Sequence, residues 1–316
     1  MIRSVLIPVD LSPNSERVVE RAALLPFTKT ARVSLLHVVP KLLPRGARRR
    51  AESDARKALE DIRRRLAREL PRTAELTTVV KTGTPTVEIA RRARSVKAEL
   101  LVMGRVGRRA LRELFIGSTA ERVIRQAGLP VLVVRLPARS PYQRPLFALD
   151  DDLAAQEILA FGFQMIPAPR PPLALVHAYD PPIHGLIYPS LSQEESKEHR
   201  RHYQKQAVHR IASMMSLAQL SGRVPGLEEV SWRHYVRYGS PRTVIPKTVT
   251  QRRADLLVLG THGRSGVAHA MLGTVAGDVL REVPCDVLVV PPHQERGERA
   301  PKSRRSNPRQ KRDQRG

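Results

Sequence analysis

The 316-residue chain has one cysteine, Cys285, and no apolar run that approaches the length of a membrane span. One cysteine excludes an internal disulfide, which is typical of proteins in a reducing compartment. The first residues, MIRSVLIPVDLS, break at Pro8 and Asp10 and lack the long apolar core of a signal peptide, so they predict a strand. We therefore expect a cytoplasmic protein with no membrane span.

The motifs of common enzyme classes are also absent. The sequence has no G-x4-G-K-[ST] loop, no HExxH pair, no cysteine pair for zinc and no G-x-S-x-G elbow. Cys285 lies in the apolar run VPCDVLVV without a base pattern beside it, which indicates packing rather than nucleophilic chemistry. Aromatic residues make up 4% of the chain, so we expect any nucleic-acid contact to be made to phosphate rather than by stacking. No catalytic or metal-binding residue is predicted.

Positive charge is abundant and uneven. Residues 1–140 carry 30 Lys and Arg against 13 Asp and Glu, residues 141–293 carry 16 against 14, and residues 294–316 carry 9 against 3. Much of the excess lies in residues 41–72, as Arg48–Arg50, Arg56, Lys57, Arg63–Arg65, Arg68 and Arg72. A nearly one-signed surface of this kind favours polyanions or anionic membranes.

The sequence is an internal repeat. The pattern G-x2-G-x9-G-[S/T] occurs as GRVGRRALRELFIGS at 104–118 and again as GTHGRSGVAHAMLGT at 260–274. Upstream landmarks also recur, because Asp10 and His37 have counterparts in Asp150 and His177. The segment YDPPIHGLIYPSLSQEE accounts for much of the extra length of the second copy.

Apolar runs alternate with helix-like segments in each copy, and this alternation predicts βαβ units with a parallel sheet. In the first copy we expect strands near 2–9, 33–39, 75–80, 99–103 and 131–134, and helices near 13–26, 52–69, 85–97 and 117–127. The fold class is therefore α/β, with two tandem doubly wound parallel five-stranded sheets. The apolar VLVV strands need cover, so we expect the copies to pack through them as a pseudo-dimer. The predicted domains are 1–137 and 144–292, followed by a disordered basic tail, 293–316.

The glycines have a chemical interpretation. Ligands of such sheets bind beyond the carboxyl ends of the strands, where the strand order reverses. Gly104 and Gly260 follow the fourth strand of their copies, where glycine lets an anion approach bare backbone. Gly117-Ser118 and Gly273-Thr274 open the next helices, whose N-termini favour phosphate. Tight turns and helix caps would give the same residues a purely structural role.

These motifs, together with the early IPVDLSPNSE, LLHVV and the closing VLVV, resemble the universal stress protein domain of the adenine-nucleotide-binding kind. The resemblance covers roughly residues 1–135 and 144–291, so the chain is similar to a tandem universal stress protein with an adenine nucleotide alpha hydrolase-like fold. It implies ATP as ligand, with or without Mg²⁺, and a role in the stress response. Enzymatic activity stays open, at most slow ATP hydrolysis or autophosphorylation.

Site residues are implied only where the motifs match. Aspartates at the end of the first strand would contact the adenosine end, the backbone after the histidines would border adenine, and the glycine loops would bind ribose and phosphates. The implied nucleotide-binding residues are Asp10, Val38, Gly104, Gly107, Gly117, Ser118 and Thr119 in the first copy, and Asp150, Ala178, Gly260, His262, Gly263, Arg264, Gly273, Thr274 and Val275 in the second.

An alternative hypothesis is a basic interaction module that binds nucleic acid or anionic membrane through the first copy and the tail, with vestigial nucleotide sites. A homodimer of the whole chain is a further option. His37 and His177, inside apolar strands, are interpreted as hydrogen-bonded core residues. His199, His202 and His209 are interpreted as a solvated helix face rather than a metal site.

Overall fold

The protein is described from a computed structural model, which describes residues 1–104, 118–150, 154–179, 192–261 and 272–292. The first half contains the strands β1 (Ile2–Pro8), β2 (Phe27–Pro40), β3 (Glu75–Gly83), β4 (Leu100–Gly104) and β5 (Val131–Val134), and the helices α1 (Pro13–Ala23), α2 (Arg45–Glu69), α3 (Pro85–Ser95) and α4 (Ser118–Ala127). The second half contains β6 (Pro145–Ala148), β7 (Leu173–Tyr179), β8 (Trp232–Tyr238), β9 (Leu256–Gly260) and β10 (Asp286–Val290), with α5 (Ala154–Gln164), α6 (Gln193–Leu220), α7 (Pro241–Arg252) and α8 (Thr274–Glu282).

The ten strands of the described residues join one sheet in the order β3-β2-β1-β4-β5-β10-β9-β6-β7-β8. Pairing within each half is parallel, whereas β5 and β10 pair antiparallel, with Leu132 opposite Leu288. The expected α/β class and the two five-stranded halves joined through their last strands are confirmed. The tail, residues 293–316, lies outside the described residues, and the domain boundaries remain predictions.

Helices cover both faces of the sheet, and each face has a core that continues across the two halves. One core packs α1, α2, α5 and α6 against the sheet, with Leu59, Phe163 and Met215 among its buried members. The other packs α3, α4, α7 and α8, with Ile89 and Val279 among its buried members. Strands buried on both faces explain the near-continuous apolar runs in the sequence.

Two elements of the first half begin earlier than the sequence predicts. Helix α2 starts at Arg45 rather than near 52, because its first turns, RGARRRA, have no apolar spacing although Arg and Ala favour a helix. Strand β2 starts at Phe27 rather than near 33, and a register shift lets Phe27 pair with Ile2 across its polar beginning. Apolar periodicity marks only the buried part of each element.

A glycine inside α5 marks a close approach between this helix and the sheet. A Cβ atom on Gly162 would lie 2.5 Å from Cε1 of Phe147 and 2.7 Å from a methyl of Val258. We expect Gly162→Ala to lower the free energy of unfolding by about 1–3 kcal/mol, because overpacking outweighs the better helix propensity of alanine. Urea denaturation measures this change.

Gly277 in α8 supplies the matched control. Its added Cβ would have Leu272 Cδ2 as nearest neighbour, at an ordinary 3.8 Å. Gly277→Ala should therefore raise stability by roughly 0.5–1 kcal/mol. Similar effects of the two substitutions would contradict the close packing of α5 on the sheet.

Candidate functional site

Each half of the sheet has one point where the strand order reverses. In the first half this switch point lies between β1 and β4, and in the second between β6 and β9. Leu6 pairs with Leu101, and Ala148 pairs with Leu259, so Asp10 lies near Gly104 and Asp150 near Gly260 along neighbouring strands. The structure thus brings the predicted aspartates and first glycines of each copy to the place where doubly wound folds bind ligands.

Asp10 is held in a tight turn that leads into α1. Its Oδ1 accepts hydrogen bonds from Ser12 N at 3.0 Å, Ser12 Oγ at 2.6 Å and Ser15 Oγ at 2.8 Å. Its Oδ2 is buried and has no hydrogen-bond partner. One oxygen therefore orients the carboxylate, and the other remains an unused acceptor at the switch point.

Ser12 and Ser15 are site-forming residues that the sequence analysis did not single out. Their signal was present in LSPNSE, a serine just before Pro13 at a helix start. We do not expect either serine to contact a ligand directly. Both residues are buried, and their hydroxyls fix the rotamer of Asp10.

One histidine in each half of the protein joins the ends of two neighbouring strands. His37 Nδ1 lies 2.9 Å from the carbonyl oxygen of Val9, and His177 Nδ1 lies 3.0 Å from that of Leu149. Each carbonyl belongs to the residue before the switch-point aspartate. The expectation that both histidines are hydrogen-bonded core residues is confirmed, although His37 is only half-buried.

Val38 and Ala178 occupy equivalent, half-buried positions one residue beyond these histidines. Val38 pairs with Lys81 in β3, and Ala178 pairs with Arg237 in β8. Both therefore lie at the carboxyl edge of the sheet, beside the switch point. A cationic residue flanks each of them.

The helices that follow the glycine loops start at this same edge. Helix α4 begins at Ser118, with Thr119 half-buried in its first turn. Gly273 is the N-cap of α8, and its N–H donates to the carbonyl of Thr261 at 2.7 Å. No side chain caps α8 in the described part of the chain, so the N–H groups of Thr274 and Val275 point out of an uncapped helix end. Such an end favours an anion.

Five of the predicted binding residues fall outside the described residues, namely Gly107, Gly117, His262, Gly263 and Arg264. The structure therefore places the two ends of each glycine motif and leaves the loop between them as a prediction.

The arginines of α2 are partly neutralised. Arg63 contacts Glu60 at 2.7 Å, Arg64 contacts Asp61 at 3.2 Å, and Arg65 contacts Glu16 at 3.3 Å. The Glu60 hydrogen bond and charge raise the pKa of the Arg63 guanidinium. This surface is consequently less positive than its arginine count suggests, and the basic-face hypothesis has less support here.

The histidines of α6 do not form a metal site in the described residues, where no group of three or more suitable side chains could hold an ion. His202 Nε2 instead lies 2.8 Å from Nε2 of Gln206. Over the same part of the chain, no helix is long and apolar enough to cross a membrane.

Fold and geometry together define a doubly wound α/β protein made of two fused copies, each with a ligand-type switch point. The model of the universal stress protein family matches residues 1–135 and 141–291. The chain belongs to the universal stress protein family, with two family domains in tandem.

Solved structures support this assignment at the level of the fold. A universal stress protein of Archaeoglobus fulgidus is 19% identical, with a TM-score of 0.64 over 92% of this chain and 96% of that chain. A Pseudomonas aeruginosa protein named among the universal stress proteins is also 19% identical, with a TM-score of 0.63 over 92% of this chain and 94% of that chain. Both span nearly the whole of the tandem arrangement.

A sequence relative from Staphylococcus aureus (strain USA300), named among the universal stress proteins, is 39% identical over 66 residues. That match covers 21% of this chain and 39% of the relative. It thus spans about two fifths of the relative's length.

Proposed function

We propose that this protein binds adenine nucleotide, ATP in the first instance, at the switch points of its two halves, and that occupancy regulates a response to stress in the cytoplasm. The second-copy site would use Asp150, Ala178 and the N-terminus of α8. The first would use Asp10, Val38 and the N-terminus of α4. The proposal concerns binding, and enzymatic activity stays open, at most slow ATP hydrolysis or autophosphorylation.

The buried, unpartnered Oδ2 of Asp10 is the observation that carries the proposal. A buried acceptor without a partner costs free energy, which a ligand donor at that position would recover. The hydroxyls of a ribose or the amino group of adenine are donors of this kind. Since Ser12 and Ser15 hold the other oxygen, the carboxylate is already oriented before a ligand arrives.

The phosphates would extend from Asp10 toward Gly104 and the start of α4. Gly104 is half-buried at the end of β4, and a Cβ there would lie 3.4 Å from a methyl of Val18. The positive end of a helix and bare backbone N–H groups together suit a polyphosphate. The same order of features recurs at Asp150, Gly260 and Gly273.

Asp10→Asn tests the proposal, because it changes mainly the unused oxygen. An asparagine can keep its carbonyl oxygen toward Ser12 and Ser15, while its amide replaces the free acceptor with a donor. We expect ATP affinity at the first site to fall by about tenfold to a hundredfold, from losing a hydrogen bond to a charged group. Calorimetric titration of nucleotide-free protein measures this, and Asp150→Asn reports on the second site.

Asp54→Asn is the matched control, because Asp54 is an exposed aspartate of α2, away from the switch point. It should leave ATP affinity unchanged. Mass spectrometry of molecules released from gently purified, denatured protein gives the identity and stoichiometry of any retained nucleotide. Wild-type protein that retains none and takes up no added ATP with magnesium would overturn the proposal.

A further inference from the structure

The polar aromatic residues of this chain are concentrated in one place. The sequence has one tryptophan and six tyrosines. Trp232 and four of the tyrosines lie on β7, α6 and β8 of the second half, as Tyr179, Tyr203, Tyr235 and Tyr238. A low average content thus conceals a local cluster at one end of the sheet.

Strand β8, WRHYVRY, is the edge strand at that end. Its alternation places Trp232, His234 and Tyr238 on the face covered by α6, and Arg233, Tyr235 and Arg237 on the face covered by α7. His234 and both arginines are exposed, whereas the rings of Trp232, Tyr235 and Tyr238 are half-buried. Ring surface is therefore available along an open strand about 20 Å long.

The rings are held by neighbouring cations and aromatic groups. The guanidinium of Arg252 lies 4.4 Å from the ring centre of Tyr235, and that of Arg200 lies 4.7 Å from that of Tyr238. Trp232 and His234 have ring centres 6.0 Å apart. These contacts fix the orientation of the rings, so a stacking partner would meet a preorganised surface.

The charge on the α7 side of this edge has one sign. Within the described residues, Arg233, Arg237 and Arg252 make no ion pair with a carboxylate. Arg242, at the start of the same α7, does pair with Asp278 at 3.1 Å. The three arginines beside Tyr235 therefore retain their charge for an external anion.

Edge strands often carry charges to prevent aggregation, so the opposite edge of the sheet is a useful comparison. Strand β3, ELTTVVKTG, occupies the equivalent edge of the first half and has no aromatic residue. Its Thr77 and Lys81 stand where the repeat places Arg233 and Arg237. Protection from aggregation explains an exposed Lys81, but it does not explain added tryptophan and tyrosine on an edge.

We propose that the β8 edge binds single-stranded nucleic acid, with phosphates on Arg233, Arg237 and Arg252 and a base stacked on Tyr235, which lies on the same face. Aromatic platforms interleaved with cations are the chemistry that recognises unpaired strands. This surface is separate from the switch points, and the inference does not depend on nucleotide binding.

Trp232 provides an intrinsic probe because it is the only tryptophan. We expect a twelve-nucleotide single-stranded RNA of mixed sequence to change its fluorescence saturably and to raise the anisotropy of a labelled copy. The same RNA as a duplex should bind at least tenfold more weakly, since its bases are already stacked and paired. Equal binding of duplex and single strand would overturn base stacking at this edge.

Arg233→Gln with Arg237→Gln tests the charge. We expect the affinity to fall by tenfold or more, and the slope of log affinity against log salt to become shallower by about 1.4, for two lost phosphate contacts. Arg49→Gln with Arg50→Gln removes the same charge from exposed positions of α2 and should leave both quantities nearly unchanged. The reverse pattern would overturn the proposal and move the site to α2.

Tyr235→Leu tests the stacking, because it keeps an apolar side chain in a half-buried position. We expect RNA to bind about tenfold more weakly with an unchanged salt slope. The melting temperature of each variant reports whether the fold is retained. Wild-type protein that ignores RNA but shifts Trp232 fluorescence with anionic phosphatidylglycerol vesicles would overturn the proposal in favour of a lipid surface.

Discussion

Asp286→Ala is expected to lower the free energy of unfolding by about 3–5 kcal/mol, because it leaves a buried arginine without its counter-charge. Asp286 is 0% exposed and lies 3.1 Å from Nε of Arg21, whose side chain is only 4% exposed. The hydroxyl of Tyr142 donates to the same carboxylate oxygen at 2.8 Å. Urea denaturation followed by circular dichroism measures the loss.

The carboxylate of Asp286 is the centre of the junction between the two halves. Its other oxygen accepts the N–H groups of Arg135 and Leu136, at 2.7 and 2.8 Å, where the chain leaves β5. The guanidinium of Arg135 donates to the carbonyls of Leu280 and Val283 at the end of α8. Burial raises the pKa of Asp286, while these hydrogen bonds and the charge of Arg21 oppose that rise.

Two further variants distinguish the effect of this buried junction from that of a solvent-accessible ion pair. Arg281→Ala breaks the ion pair to Glu121, which also crosses between the halves but is solvent-accessible, and should cost less than about 1 kcal/mol. Asp286→Asn keeps the shape and one acceptor and should cost less than alanine. If Asp286→Ala were as stable as Arg281→Ala, the buried ion pair of Asp286 with Arg21 would not hold the halves together.

The sequence was sufficient for the architecture because the features that determine it are repeated and periodic. Gly104 and Gly260, with the strands before them, established two copies, and the apolar VLVV runs indicated that the last strands would pair. The start of α2 could not be predicted in this way, because an exposed arginine-rich turn carries no apolar period.

The candidate site was predictable in its positions but not in its hydrogen bonds. The sequence marked Asp10 and His37, yet only the fold shows that Ser12 and Ser15 hold one oxygen of Asp10 while the other stays unpartnered. The aspartates at the junction between the halves, Asp286 and Asp255, were not predicted either, for a related reason. Asp255 accepts the N–H groups of Gln143 and Arg144, and such pairing across more than a hundred residues leaves no local pattern.

Composition leaves out one feature of this chain, because an average conceals clustering. An aromatic content of 4% argued against stacking on bases. The fold gathers Trp232, Tyr235 and Tyr238 on one edge strand, and their separation by single residues in WRHYVRY was visible in the sequence. Local density, rather than the total, is the quantity that matters for a binding surface.

Cys285 is expected to react with Ellman's reagent at pH 8 about a thousandfold more slowly in the folded protein than in the unfolded chain, because the thiolate is the reactive form. The thiol is buried at the start of β10, and burial raises its pKa from an ordinary 9.0 to about 12. As the only cysteine, it reports without interference. Stopped-flow absorbance of native and urea-unfolded protein gives the two rates.

The pH dependence of this reaction gives a second, independent criterion. Between pH 8 and 10 the folded rate should rise about tenfold per pH unit, since the pH remains below the raised pKa, while the unfolded rate levels off above 9. Rapid labelling of folded wild-type protein would contradict burial of β10 between the halves. Asp286→Ala should speed labelling of the adjacent Cys285, because opening of the junction adds a second route in which the exposed thiol has its ordinary pKa.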